Sequence, residues 1–422
     1  MNKVYSYREY DILVPEDIQG GAPPGTQPCT DFRELRDFVH STEGVDDFFS
    51  YHVRHGVERI TLQNYVGVIR FRSGHQMEIL PKISGSTGLE QARGIVLDML
   101  RCLTHTPFRQ GGTAAQRTCK MPLLDAFIQM YLREVQALVR GGIRADYVAR
   151  QGNLNRLRGR ILLTPQLRHN ILHPERLYCA YDEYDLNCPE NRLVKTTLLV
   201  LRRHTATPAL VREIDGLLQY FDEVDKSASI DADFNKVRTD RSRRAYAQLM
   251  NWARVFLQGR SFSSFAGRAD ACVLLFPMER LFEDYVAHYV RQSFRADGWR
   301  VTTQARGHYL FDSGGEHHFS VRPDILLEKN GRVLVMDTKW KVLENDPDKH
   351  FGIQQADMYQ MSAYATEMAS KDIFLLYPRL GWMPVNEPLK VYRDDASGLN
   401  VHIYPVDLLR VQGSVDSLAG MQ

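Results

Sequence analysis

The stretch Val321-Arg322-Pro323-Asp324-Ile325-Leu326-Leu327-Glu328-Lys329-Asn330-Gly331-Arg332-Val333-Leu334-Val335-Met336-Asp337-Thr338-Lys339-Trp340-Lys341 holds two apolar, β-prone runs around an Asn-Gly pair. That pattern is the strongest short signal for a β-hairpin. A two-residue Asn330-Gly331 turn fixes the register, so that Lys329 faces Arg332 and Asp324 faces Asp337. Directly opposed residues hold their Cβ atoms about 4.5–5.5 Å apart. Lys339, two residues beyond Asp337, projects from the same face. Like charges opposed on a sheet destabilise it, and a divalent cation between the carboxylates removes that cost. Oxygen ligands around a small site suit Mg²⁺, completed by water and substrate phosphate. A lysine beside the metal orients water and stabilises charge on a transferring phosphoryl group. A Pro-Asp pair or an Asp-x-Lys triplet alone reads as a solvated strand end; both together, in register, point to a metal site.

Two flanking segments complete the pattern. Before the hairpin, Met278, Leu281, Phe282, Tyr285, Val286 and Tyr289 form an apolar helical stripe. Glu279 and Glu283 lie four residues apart on one flank of that helix, and either is placed to supply a further oxygen ligand. After the hairpin, Gln354 to Ala365 reads as a helix, with Gln360 and Tyr364 an i,i+4 pair suited to touching a phosphate backbone or the lysine. Packing on the sheet accounts equally well for Tyr364.

Composition bounds the rest. The chain has 422 residues, 44% hydrophobic and 25% charged, which fits two or three globular domains. Lys+Arg 53 against Asp+Glu 51 leaves a formal charge of +2, too small to indicate a nucleic-acid partner by itself. The six cysteines are scattered without a C-x-x-C pair, which argues against a zinc ribbon and against a disulfide framework. A reduced, cytoplasmic setting is the economical expectation, with no signal peptide and no membrane span. No G-x-x-x-x-G-K-[ST] loop is present, so no nucleotide is expected to bind this chain by the P-loop route.

The first ~90 residues look strand-rich, with a hairpin of Tyr65 to Arg72 and Met77 to Leu80 stopped by Pro81. Gly20 to Gly25 reads as a loop. Helical spacing runs through about 90–141 and again through 190–260, where Asp231-Ala232-Asp233 is expected in a break between helices. Residues 131–168 carry eight arginines against Glu134 and Asp146, a solvated surface or a contact for nucleic acid with equal weight. Arg238, Arg241, Arg243 and Arg244 form a second basic patch.

Pro323-Asp324 … Asp337-Thr338-Lys339, with Glu283 before and Gln360-x-x-x-Tyr364 after, resembles the PD-(D/E)XK nuclease superfamily. More narrowly, Asn64-Tyr65-Val66-Gly67-Val68-Ile69, Glu78-Ile79-Leu80-Pro81-Lys82-Ile83, Leu157-Arg158-Gly159-Arg160, Asn191-Arg192-Leu193-Val194-Lys195, Leu281-Phe282-Glu283 and Asp337-Thr338-Lys339-Trp340-Lys341 resemble the McrC family, the nuclease subunits of McrBC modification-dependent restriction systems. The resemblance covers most of the chain, from about 64 to 365; its specific part is the nuclease core.

The resemblance implies an α/β fold: a C-terminal restriction-endonuclease-like core of mixed sheet flanked by helices, an N-terminal α+β domain and a helical connecting region. The expected division is 1–160 for a domain that docks and stimulates a partner, and 161–422 for the nuclease, its helical part at 190–260 and its catalytic core at 275–365. The implied function is a DNA endonuclease subunit that hydrolyses phosphodiesters with Mg²⁺, or Mn²⁺, at 5-methylcytosine-type sites. The implied partners are a McrB-like AAA+ GTPase hexamer and double-stranded DNA, in a bacterial or archaeal cytoplasm. Asp324, Asp337, Glu283 and the Thr338 backbone carbonyl would hold the metal. Lys339 would be the catalytic lysine, with Gln360 beside it and Glu279 the rival of Glu283. Arg322, Lys341, Tyr364, Arg241 and Arg244 are the expected DNA contacts. A RecB-like repair nuclease working without a GTPase and a non-cleaving regulatory DNA-binding subunit remain open readings.

Overall fold

The computed structural model describes residues 3–18, 21–41, 44–83, 88–103, 121–237, 244–258, 272–313 and 316–421. The chain divides into two compact units, one of residues 1–123 with 261–422 and one of residues 124–260. The first is therefore discontinuous in sequence. The expected cut at 160 falls inside the second unit. The reason is strand pairing: Cys272–Pro277 runs antiparallel to Tyr65–Arg70, so the segment after 261 completes a sheet begun by the N-terminal residues.

The first unit is mixed α/β. Its largest sheet orders six strands as Arg300–Thr303, Ile325–Lys329, Arg332–Thr338, Asp372–Pro378, Leu399–Val406 and Lys390–Asp394. The expected hairpin forms with Lys329 opposite Arg332 and Ile325 opposite Met336. Asn330 and Gly331 have φ of 50° and 77°, the paired left-handed conformations that a two-residue hairpin turn demands. Arg332–Thr338 then pairs in parallel with Asp372–Pro378. It is thus an interior strand, and Leu334, Val335 and Met336 are all fully buried. The helices Met278–Ala296 and Gln355–Met368 both pack on it. Val335, Ile373, Leu375 and Tyr377 share one core cluster with Met361 and Tyr364 of the second helix.

Two four-stranded sheets make up the N-terminal part of this unit, ordered Val4–Arg8, Gln76–Leu80, Tyr65–Arg70, Cys272–Pro277 and Gln27–Cys29, Ile12–Pro15, Val57–Leu62, Phe49–Arg54. One apolar cluster joins them, from Leu13 and Ile60 to Ile69, Ile79 and Leu275. The expected hairpin around Ser73-Gly74 is present, with Gly67 opposite Ile79. The helix Phe32–Ser41 went unread in the sequence, although Phe32, Leu35, Phe38 and Val39 are its buried stripe.

The second unit holds a three-stranded sheet of Asp146–Leu154, Leu177–Asp185 and Arg160–Ile161 with several helices. Asp231-Ala232-Asp233 lies inside the helix Ile230–Lys236 rather than in a break. Ser229 caps that helix by accepting from the Ala232 amide, and Asp233 pairs with Arg192 at 2.6 Å. Two of the eight arginines in 131–168 are paired: Arg150 with Glu183 and Asp185 at 2.7 and 2.6 Å, and Arg158 with Glu183 at 3.1 Å. These acids come from the facing strand, beyond the counted stretch. Arg238, Arg241 and Arg243 and the side chain of Arg244 lie outside the described residues. Among the described residues, no helix is long and apolar enough to cross a membrane.

Gly67 has φ of 142°, and a Cβ there would stand 1.9 Å from the Leu274 carbonyl oxygen on the partner strand. We expect Gly67→Ala to separate the two strands and destabilise the first unit by roughly 2–4 kcal/mol. Denaturant unfolding measures this; an unchanged midpoint would refute the close-approach role.

Candidate functional site

Where the hairpin strand ends, the chain gathers its acids. Asp324 sits one residue before the paired strand, and the register carries it opposite Asp337. The Thr338 amide and hydroxyl both donate to Asp324 Oδ2, at 2.8 and 2.7 Å. Gln304, at the end of the edge strand Arg300–Thr303, donates its side-chain amide to Glu283 Oε1 and to Asp324 Oδ1, the latter at 3.2 Å. Its backbone amide donates to the Asp324 carbonyl at 2.9 Å. Glu283 thus stands beside Asp324. Glu279, one turn earlier, is exposed and lies near Glu9, Tyr10 and Lys82. Of the two helix carboxylates, Glu283 is the one joined to the Asp324 side.

Asp337 is 2% exposed, with Lys339 Nζ at 2.7 Å from its Oδ2. Lys339 also donates to Gln360 Oε1 at 2.8 Å. Gln360 Nε2 donates to the Tyr364 hydroxyl at 2.6 Å, and that hydroxyl donates to the Arg322 carbonyl at 3.2 Å. Gln360 thus touches the lysine directly, while Tyr364 supports Gln360 and packs in the core beneath it. Glu283, Asp324, Asp337, Thr338, Lys339, Gln360, Tyr364, Arg322 and Lys341 line one cavity of about 300 Å³, and Glu279 reaches it too. Arg322 is exposed at its rim. Lys341 is held by Asp357 at 2.9 Å and by Gln354 at 3.1 Å.

The electrostatics follow from burial and like charge. Burial, and then the Asp324 charge, push Asp337 up to about 6 and Glu283 up to about 7. Burial works against the Lys339 ammonium, but the Asp337 carboxylate beside it prevails and the pKa rises. Lys339 is therefore a cation at neutral pH, suited to stabilising negative charge rather than to removing a proton.

Among the described residues, no group of three or more His, Cys, Asp or Glu side chains stands close enough to hold a metal ion unaided. Lys339 occupies Asp337, and Gln304 occupies Glu283 and Asp324. The donor set still suits Mg²⁺, which typically takes one or two protein carboxylates and completes its shell with water and phosphate. Burial and, after it, the Asp324 charge raise both carboxyl groups, and a cation would offset both effects. Gln304 and Asp357 carried no signal in the sequence: neither belongs to a motif, and only the fold brings them to the pocket.

No curated protein matches the chain in sequence. Its fold is similar, over 100% of both chains, with a TM-score of 0.72 and 15% identity, to a chain of a Thermococcus gammatolerans structure described as a half-complex from a tetradecameric assembly of McrB AAA+ hexamers with bound McrC. A second structure, the McrBC complex of the same organism, matches at a TM-score of 0.48 and 18% identity, over 69% of this chain and 88% of that one. A family model described as McrBC 5-methylcytosine restriction system component matches residues 60–378, about three quarters of the sequence, and the chain therefore belongs to that family.

Proposed function

We propose that the chain is the DNA-cleaving subunit of a modification-dependent restriction complex, working in a bacterial or archaeal cytoplasm with a McrB-like AAA+ GTPase hexamer. The reading rests on one observation: Asp324 and Asp337 are opposed in a single pocket with the Lys339 ammonium on Asp337. Asp324, Asp337 and the Thr338 carbonyl, with Glu283, would hold Mg²⁺ or Mn²⁺. Such an ion, when bound, supplies a Lewis acid for a phosphoryl oxygen and lowers the pKa of water.

The chain's own groups account for the remaining roles. In the hydrolysis a water oxygen bonds to phosphorus, the bond from phosphorus to one sugar oxygen breaks, and that oxygen leaves with a proton. Lys339 Nζ faces the negative charge that grows on the non-bridging oxygens. Gln360, fixed by Tyr364, holds the ammonium in position. Arg322 at the rim offers a bidentate contact to a neighbouring phosphate. Lys341 is available to the backbone once it leaves Asp357.

Engagement of the partner was expected in residues 1–160. An exposed apolar surface supports a site just beyond that boundary: Leu163, Leu167, Ile171 and Leu172 are 73%, 66%, 75% and 84% exposed. Four large aliphatic side chains together in water are the mark of a surface covered by another chain.

Cleavage of cytosine-methylated DNA with Mg²⁺, GTP and the cognate GTPase tests the assignment. Asp337→Ala and Lys339→Ala should each lower cutting by at least about 100-fold while still stimulating GTP hydrolysis. Wild-type cutting by either variant would sink the nuclease site. Undiminished cutting by the wild-type chain without GTP or partner would instead favour a RecB-like enzyme. Joint Leu163→Asp and Leu167→Asp should reduce GTPase stimulation about tenfold or more, with circular dichroism unchanged. Full stimulation by that double variant would remove the surface from the account.

A further inference from the structure

Lys339 lies just past the end of its strand at Thr338, where the sheet pairing runs out. Its amide donates to the Leu376 carbonyl at 2.9 Å, and the chain then turns tightly, with the Lys341 amide donating to the Lys339 carbonyl at 3.0 Å. The next anchor is Trp340, 3% exposed, whose ring lies 5.3 Å from that of Phe282, the neighbour of Glu283. The Trp340 indole N–H donates to both carboxylate oxygens of Glu9, at 2.9 and 3.1 Å. Glu9 is itself 2% exposed, and its Oε1 also accepts from the Lys82 amide at 2.9 Å. Its own amide donates to the Leu80 carbonyl at 3.0 Å, which ties it to the parallel pair Val4–Arg8 and Gln76–Leu80.

An acid in this position is costly. Burial pushes Glu9 up to about 7, and only hydrogen bonds and the nearby Lys82 ammonium offset it. An apolar side chain would fill the same space without that penalty. What the carboxylate adds is direction: a fixed acceptor for one indole proton, joined to a rigid sheet.

We infer that Glu9 is a positioning residue for the catalytic segment, holding Trp340 and through it the backbone from which Lys339 and Asp337 reach into the pocket. The inference rests on the nuclease reading of that pocket. It extends the site to a residue 331 positions away in sequence from the tryptophan it orients.

The test uses the full-length protein with its GTPase partner, Mg²⁺ and methylated DNA. Glu9→Leu should lower kcat about tenfold or more with KM for DNA changed less than twofold, since the DNA contacts are untouched. Backbone amides of 339–341 should exchange hydrogen faster in that variant, while those of Asp372–Pro378 stay protected. Glu9→Gln keeps an acceptor oxygen and should restore both readouts to within about threefold of wild type. Where Glu9→Leu folds poorly, Trp340→Phe, which removes the donor together with the five-membered part of the indole, should show the same fall in kcat and the same faster exchange at 339–341. Wild-type kcat and exchange in Glu9→Leu, or a Glu9→Gln variant as impaired as Glu9→Leu, would overturn the inference. Exchange does not depend on cutting. Fast exchange at 339–341 in Glu9→Leu, rescued by Glu9→Gln, therefore upholds the positioning role even where Lys339→Ala cuts normally and the nuclease reading fails.

Discussion

Two carboxylates that repel one another are held facing each other in one pocket, and much of the first unit serves to keep them there. An Asn-Gly turn sets the register that opposes Asp324 and Asp337. The strand carrying Asp337 is interior to a six-stranded sheet, so the acid cannot swing into water. The strain of that arrangement is met locally: Thr338 donates twice to Asp324, Gln304 bridges Asp324 and Glu283, and Lys339 neutralises Asp337. Each of these groups is polar; Thr338 and Lys339 come from the end of the strand that carries Asp337, and Gln304 from the end of the edge strand Arg300–Thr303. A pocket built this way holds its charged groups in fixed positions.

The surroundings repeat the same logic at longer range. Gln360 and Tyr364 fix the lysine from a helix that packs on one core cluster. Glu9 fixes the following tryptophan from a different sheet. The segment that carries Asp337 and Lys339 is thus supported from both sides. Groups of this kind commonly decide how well a site holds its geometry.

How much of this was legible in the sequence depended on the range over which each contact acts. The hairpin and the Asp324/Asp337 opposition were legible because turn chemistry alone fixes a two-residue register. The Gln360/Tyr364 pair was legible because helical spacing is local. Glu279 and Glu283 could not be told apart, since both lie on one helix flank and only the neighbouring strand distinguishes them. Gln304 was invisible because it enters from an edge strand with a left-handed φ of 51° and no motif. Two acids that lower the charge of the basic stretch at 131–168, Glu183 and Asp185, lie outside it in sequence because they arrive from a facing strand. The discontinuity of the first unit was not legible, because strand pairing between Tyr65–Arg70 and Cys272–Pro277 leaves no trace in composition.

That pairing also bears on how the protein is made. The strand Tyr65–Arg70 leaves the ribosome about 200 residues before Cys272–Pro277. At about 5–20 residues per second, the interval is roughly 10–40 s. Throughout it, one edge of the N-terminal sheet has no partner, and an apolar edge in that condition recruits other chains. The unit of residues 124–260 is meanwhile complete in sequence and free to fold. The start of the chain is therefore made first, yet its sheet gains its last strand only when residues 272–277 have been made.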